Sequence, residues 1–579
     1  MRAEPRAERD LEIMSTVRQS WPAPARVGTS GRSSFRLRPG VTLAGLLCLV
    51  VAAPLLALLG FVGQPTEGLW SHLASTVLPE YARNSALLCL GVGLGSLALG
   101  AGSGWLVTMY RFPGQRLLNW ALVLPLAMPA YVLAYAYTDF LQVSGPVQTL
   151  LRDVTGWGWR DYWFPNIRSL GGAVFVLTAA LYPYVYVLAR AAFAEQSMCA
   201  LEVSRTLGCT PFAAFRRVGL PLARPVIAAG VAFAMMETLA DFGAVAYFEL
   251  RTFTTGIYRA WYALGSPAAA AQLASLLLLL VCVLLVVEAG ARGQARFNTL
   301  TIHLFQKHRV VLTGWRGWLA CTACALPVLV GFVLPAIVLA GMALDSADGV
   351  GLSRIATLTG NTLLLGGLAS VLIVAVAIGG LIVASRESGS HAGRLLRVAA
   401  LGYAVPGAVI GVGVLIVIGL FDHAVDGAAK ALGSAGTGLV LGGTIGALLY
   451  AYLVRFFAVG FNPLQAGMAK IAPAFGDAAR VLGCRPWGVA TRVLLPLLRP
   501  SLISACLLVL VDVMKELPAT LILRPFNFDT LAVEAFQLAT TERLAAAALP
   551  SLVIVAAGLA PVVLLCRMLD RGRGVAPVA

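Results

Sequence analysis

Four carboxylates sit inside runs otherwise too apolar to face water: Glu237 and Asp241 in one, Asp512 and Glu516 in another. An offset of 275 residues relates the two pairs, 512 less 237 and 516 less 241. Each pair is spaced i, i+4, which puts both acids on one face if the run is a helix. Lys515 accompanies the second pair only. A charge in hydrocarbon costs at least ~2.5–3.5 kcal/mol, so these groups are expected to face a bundle interior or a water-filled space. Two chemistries fit. Acids on two facing helices would line a weakly attractive route for a cation, weak because a pathway must release what it admits. Alternatively the groups are structural, with Lys515 paired to a neighbouring carboxylate and the rest protonated or hydrogen-bonded. Neither pair carries a Glu-x-x-His pattern, so no tight metal site is expected. His72, His303, His308, His391 and His423 form no ligand spacing, and Cys321-x-x-Cys324 lies alone in an apolar run, which reads as packing. No nucleophile–base set is evident, so no enzyme activity is expected.

The elements that must hold these groups follow from composition. With 579 residues, 59% hydrophobic and 12% charged, the chain has too little polar surface for a soluble protein. We expect an all-α integral membrane protein of about 12 spans, each of the ~20 residues that a bilayer demands. They fall roughly at 41–63, 84–109, 118–141, 170–192, 223–246 and 268–290, then at 317–343, 360–385, 397–421, 436–459, 498–523 and 546–567. Residues 1–38 read as a solvated cytoplasmic tail, 39–290 and 317–567 as two halves, 291–316 as a basic cytoplasmic linker, and 568–579 as a second cytoplasmic tail. The net charge of +16 sits in short loops, which the positive-inside bias explains better than nucleic acid binding. That bias places both termini in the cytoplasm. Asn84 and Asn361, read as helix N-caps, and Pro129 and Pro406 share one offset of 277 residues, 361 less 84 and 406 less 129. The chain thus reads as a fused dimer of two six-helix repeats in the same orientation, related by a pseudo-twofold along the membrane normal. Gly91-x-x-x-Gly95 and Gly100-x-x-x-Gly104 are expected to be close helix contacts. Trp157, Trp159, Trp163, Tyr131, Tyr135 and Tyr137 are expected in an interfacial belt.

Two polar segments between spans complete the repeat: Glu202 to Pro221 and Asp477 to Pro496. Each runs acid, five residues, Gly (Gly208, Gly483), nine residues, a β-branched residue, two residues, Pro, and then Arg-Pro (Arg224-Pro225, Arg499-Pro500). The pattern predicts a short helix stopped by a left-handed Gly, a second amphipathic piece carrying Arg216 and Arg217 or Arg492, and a Leu-Pro that opens the next span. Both would project into the cytoplasm as rigid knobs. No Gly-x-x-x-x-Gly-Lys-Ser/Thr occurs, so no P-loop for ATP is carried here.

The acid-x5-Gly-x9-Ile/Val-x-x-Pro pattern resembles the cytoplasmic "EAA" motif of permeases in binding-protein-dependent ABC importers, with Val203-Ser204 in place of Ala-Ala and Asp477 in place of Glu. The resemblance implies the type I ABC importer permease fold in a bacterial inner membrane. It implies that Glu202, Gly208, Pro221, Asp477, Gly483 and Pro496 belong to coupling helices engaged by two copies of a separate ATPase, which would bind ATP and Mg while this chain carries no cofactor. A periplasmic substrate-binding protein would deliver the cargo. The stretches METLADFGAVAYFELRTFTTGIYRAW (235–261) and VMKELPATLILRPFNFDTLA (513–532) are similar to fused permeases of the ferric iron importer family. That implies ferric iron as cargo and Glu237, Asp241, Asp512, Lys515 and Glu516 on its pathway. Thiamine, polyamine and phosphonate importers are relatives and remain alternatives, as does an ion-driven secondary transporter using the same acids as a proton relay.

Overall fold

The computed structural model describes residues 39–66, 68–195, 204, 206–292, 310–345, 350–385 and 391–571. The 1–38 tail, most of the linker and Glu202 therefore lie outside the described residues. What is described is mostly helical, with one two-residue parallel pairing of Tyr110–Arg111 with Val310–Val311. The first half comprises α1 (Pro39–Phe61), α2 (Leu78–Met109), α3 (Ala130–Leu141), α4 (Leu170–Glu195), α5 (Leu220–Ala240), α6 (Gly243–Tyr247), α7 (Phe253–Tyr262) and α8 (Pro267–Arg292). The second repeats the order with α9 (Gly314–Asp345), α10 (Leu352–Ala384), α11 (Gly407–Ala431), α12 (Ile445–Ala469), α13 (Arg499–Met514), α14 (Pro518–Leu523), α15 (Leu531–Thr540) and α16 (Leu544–Arg571). Nine helices among the described residues are long and apolar enough to cross a membrane, or eleven if each of two bent pairs is one span.

Between spanning helices lipid supplies no hydrophobic drive, so close approach of small residues and interhelical hydrogen bonds hold the bundle. The glycine ladder on α2 serves this purpose against α4. A Cβ on Gly91 would meet Val174 at 2.9 Å, on Gly95 Thr178 at 2.7 Å, on Gly100 Val185 at 2.6 Å, and on Gly104 the Arg190 backbone at 3.2 Å. The halves also exchange their first helices. α1 packs on α10 and α11 of the second half, and α9 packs on α3 and α4 of the first. One hydrogen bond fixes each exchange: Tyr450 donates to the Val50 carbonyl at 2.7 Å, and Tyr137 to the Val330 carbonyl at 2.6 Å.

Several expected spans are not straight. The run expected at 118–141 bends by 94° at Met128–Pro129, and its counterpart breaks at Pro406. Both prolines take the extended conformation (φ −59°, ψ 145° and φ −57°, ψ 140°), which their missing N–H permits at the head of a helix. The runs expected at 223–246 and 498–523 stop at Ala240 and Met514 and turn into short helices. The run expected at 436–459 starts instead at Ile445, because glycines 436, 438 and 443 adopt positive φ and keep 436–444 irregular. Its loop is tied down by Asp422, whose carboxylate accepts from the Leu441 and Gly442 N–H groups at 2.9 and 2.8 Å.

The knobs have the expected Gly bends. Gly208 and Gly483 have φ of 85° and 82°, the left-handed exit of a helix. Leu-Pro does not open a new helix, however. In both copies a wide π-helical turn, Phe215–Gly219 and Ala490–Leu494, leads without a break into Leu220-Pro221 and Leu495-Pro496. A third such turn, Leu329–Val333, precedes Leu334-Pro335. A proline ring clashes with the carbonyl four residues earlier, and one widened turn relieves that clash. The second copy then bends by 74° at Leu498, where the first runs on as one helix.

Candidate functional site

All five charged residues singled out in the apolar runs line a single cavity of about 140 Å³ between the halves. Four chain breaks meet there: Met128–Pro129, Asp241, the turn from Tyr403 to Pro406, and Lys515–Pro518. At 1.5 Å per residue, Glu237 lies about 25 Å along α5 from Leu220. Irregular backbone at such depth is tolerated where it is buried in protein or lines a polar space.

The expectation that each acidic pair shares one helical face is corrected. α5 ends at Ala240 and α13 at Met514, so Asp241 and Glu516 lie beyond the last helical residue. Each turns onward to cap the short helix that follows. Asp241 Oδ2 accepts from the Ala244 and Val245 N–H groups at 3.1 and 3.2 Å, and Glu516 Oε1 accepts from the Ala519 N–H at 3.1 Å. A carboxylate suits a helix N-terminus, where N–H groups have no intrahelical partner. The chain then reverses through Glu249 and Asn527, both at positive φ (56° and 62°). Asn84 and Asn361 hold these returns. Their side chains donate to the Arg251 and Asp529 carbonyls at 3.0 and 3.1 Å, while Ser85 and Thr362 accept from the Phe253 and Leu531 N–H groups. Both asparagines lie within α2 and α10, so the N-cap expectation for them is also corrected.

The cations divide unevenly. Lys515 pairs with Asp512 at 3.0 Å, the two side chains 27% and 23% exposed. The expected structural pairing of Lys515 is therefore present. Arg455, from α12, pairs with Glu516 at 3.1 Å with both groups buried, and donates to the Val405 carbonyl at 3.2 Å. Gly407, at the head of α11, gives this pair room: a Cβ there would meet Glu516 Oε1 at 2.5 Å and Arg455 Nη1 at 3.1 Å. In the first half, the position of Lys515 is held by Ala240, and α4 brings only Leu177, Ala180, Leu181 and Tyr184 to the lining. Among the described residues no ion pair reaches Glu237 or Asp241, and Tyr403 lines the cavity with them. Four carboxylates and two cations face one cavity, a formal excess of two negative charges when all are ionised.

Arg455, Tyr184 and Tyr403 were not among the residues expected here. Arg455 had a visible signal, a single charge in the apolar run at 436–459. The tyrosines had none beyond composition. Tyr131, Tyr135 and Tyr137 are buried rather than interfacial, and Tyr131 lines the cavity. Trp157, Trp159 and Trp163 are exposed in the loop before α4. The knob residues Gly208, Pro221, Asp477, Gly483 and Pro496 are remote from the cavity, at the other ends of α5 and α13. Asp477 is exposed and pairs with Arg480 at 3.1 Å.

Comparison with known proteins places this arrangement. The pattern of the binding-protein-dependent transport system inner membrane component matches residues 96–293 and again 376–575, once in each half. The chain is 25% identical over 536 residues to an Fe(3+)-transport system permease protein, FbpB 2, of Haemophilus influenzae, covering 90% of this chain and 97% of that protein. It is 30% identical over 227 residues to the sulfate transport system permease protein CysT of Salmonella typhimurium, 37% of this chain and 77% of that one. To the molybdenum transport system permease protein ModB of Escherichia coli it is 28% identical over 220 residues, 36% of this chain and 92% of that one. With the pattern present in both halves that enclose the cavity, the chain belongs to the family of inner-membrane components of binding-protein-dependent transport systems.

Proposed function

We propose that this ABC permease moves ferric iron across the inner membrane through the acidic cavity between its halves. The observation that carries the reading is the charge there: four carboxylates against two cations. A sulfate or molybdate ion would meet a surplus of like charge, whereas a cation is attracted without a closed ligand shell to trap it. The fused two-half form, which matches the Fe(3+) permease over nearly its full length, supports the same cargo. Thiamine and polyamines, also cations, are the alternatives that charge alone leaves standing, whereas a phosphonate anion would meet the same surplus of like charge. Family membership removes the secondary transporter.

On this reading the knobs lie in the cytoplasm with both termini. Glu202–Gly208 and Asp477–Gly483 dock two copies of an ATPase that binds ATP and Mg. The opposite end receives a cargo-loaded periplasmic binding protein. Surrounding the spans is membrane lipid, and nucleic acid has no part. The test is uptake of radiolabelled ferric iron, thiamine and molybdate by cells with and without the gene. Loss of ferric uptake alone is expected on deletion. Unchanged ferric uptake with loss of thiamine or molybdate uptake would replace the cargo.

A further inference from the structure

The two halves supply matching acids to the cavity but unmatched cations, and the two cations differ from each other. Arg455 is fixed: its side chain is 8% exposed, it holds Glu516, and it is bonded to the Val405 carbonyl. Lys515 is 27% exposed, bonds a 23% exposed Asp512, and sits at the C-terminal cap of α13 on a flexible four-carbon stem. It can leave Asp512 without stranding a buried charge. Glu237 occupies the position related by the repeat to Asp512, and the residue related to Lys515 is Ala240.

We infer that Lys515 is a tethered counter-cation that competes with the cargo for Asp512, so that the cavity binds its cation loosely enough to release it. This rests on the cation-transport reading above and assigns the residue that sets its affinity. A cation entering the cavity meets Glu237, which no ion pair reaches among the described residues, and then shares Asp512 by displacing Lys515. Return of Lys515 to Asp512 favours departure of the cargo. Arg455 takes no part in the exchange, since moving it would leave Glu516 buried and unpaired.

The test is the initial rate of radiolabelled ferric iron uptake against concentration, in cells carrying Lys515→Gln, Lys515→Arg or the double variant Asp512→Asn with Lys515→Gln. For Lys515→Gln both KM and maximal rate are expected to fall, KM by roughly fivefold or more, the size of an ordinary coupling between sites. Lys515→Arg keeps the competing charge and returns both toward the wild-type values. The double variant removes the site and the competitor together and raises KM again. A merely structural Lys515 would lower the maximal rate with the amount of protein and leave KM unchanged, which overturns the inference. Absence of ferric uptake by the wild-type cells removes the cargo reading and this inference with it, so the two failures are distinct.

Discussion

At the scale of single residues, the two ion pairs of the cavity differ in burial and therefore in energy. Removing one partner of a buried pair leaves an uncompensated charge, a cost of about 3–5 kcal/mol, whereas an exposed pair contributes about 0–1 kcal/mol, and the partly exposed Lys515–Asp512 pair lies between. Arg455→Leu is therefore expected to lower the thermal unfolding midpoint of the purified protein sharply, and Lys515→Gln to lower it by clearly less. Equal shifts for the two variants would show that burial does not separate them. Gly407→Val is expected to act like Arg455→Leu, because its side chain would displace the same pair. The acids of this site were legible because each pair repeats. Arg455 was harder to read: it has no counterpart facing the cavity from the first half, and a lone arginine in an apolar run does not say which helix end or carboxylate it meets.

Helices here are defined by where they stop. Periodicity reads long apolar runs as straight spans, but it does not weigh a proline against the packing that can absorb it. Pro129 and Pro406 break their runs, whereas Pro221, Pro335 and Pro496 are absorbed by wide turns. The i, i+4 argument for the acids failed for the same reason, since the helix ends between the two members of each pair. The left-handed glycines were legible, because a polar segment closed by Gly leaves few other conformations. Valine at Gly208 or Gly483 has open space for its side chain but disfavoured φ, about 1–2 kcal/mol of strain per copy. The double variant is expected to lose transport while retaining the folded transmembrane bundle, as measured by uptake and by size-exclusion profile; full uptake would remove the knobs from the coupling role. At the opposite end, Arg168 pairs with Glu542 at 2.9 Å, joining the loop before α4 to the turn before α16. Its hydrogen bonds hold the Glu542 carboxyl below the ordinary value of 4.5. The tie is thus present above that value and lost as pH falls through the lowered one. Protection factors around 541–543, which are free of the intrinsic pH dependence of amide exchange, should fall on acidification in the wild type and be low at all pH values in Glu542→Gln.

At the scale of the whole molecule, the fused-dimer plan was legible from two offsets, 277 near the span starts and 275 at the acids, and the halves do repeat helix by helix. The exchange of α1 and α9 between halves was not legible, since an apolar helix carries no mark of which half it will pack against. That exchange makes the cavity a property of both halves at once, so neither acidic pair can serve alone. The central claim is that Glu237 and Asp512, at related positions on facing halves, form one cation route. The most direct measurement is the initial rate of radiolabelled ferric iron uptake by cells carrying Glu237→Gln and Asp512→Asn, singly and together, with membrane-inserted protein quantified in each. Each single variant is expected to lose most of the uptake and the double to lose no more than the worse single, at wild-type protein levels. Normal uptake in the double variant would contradict the account.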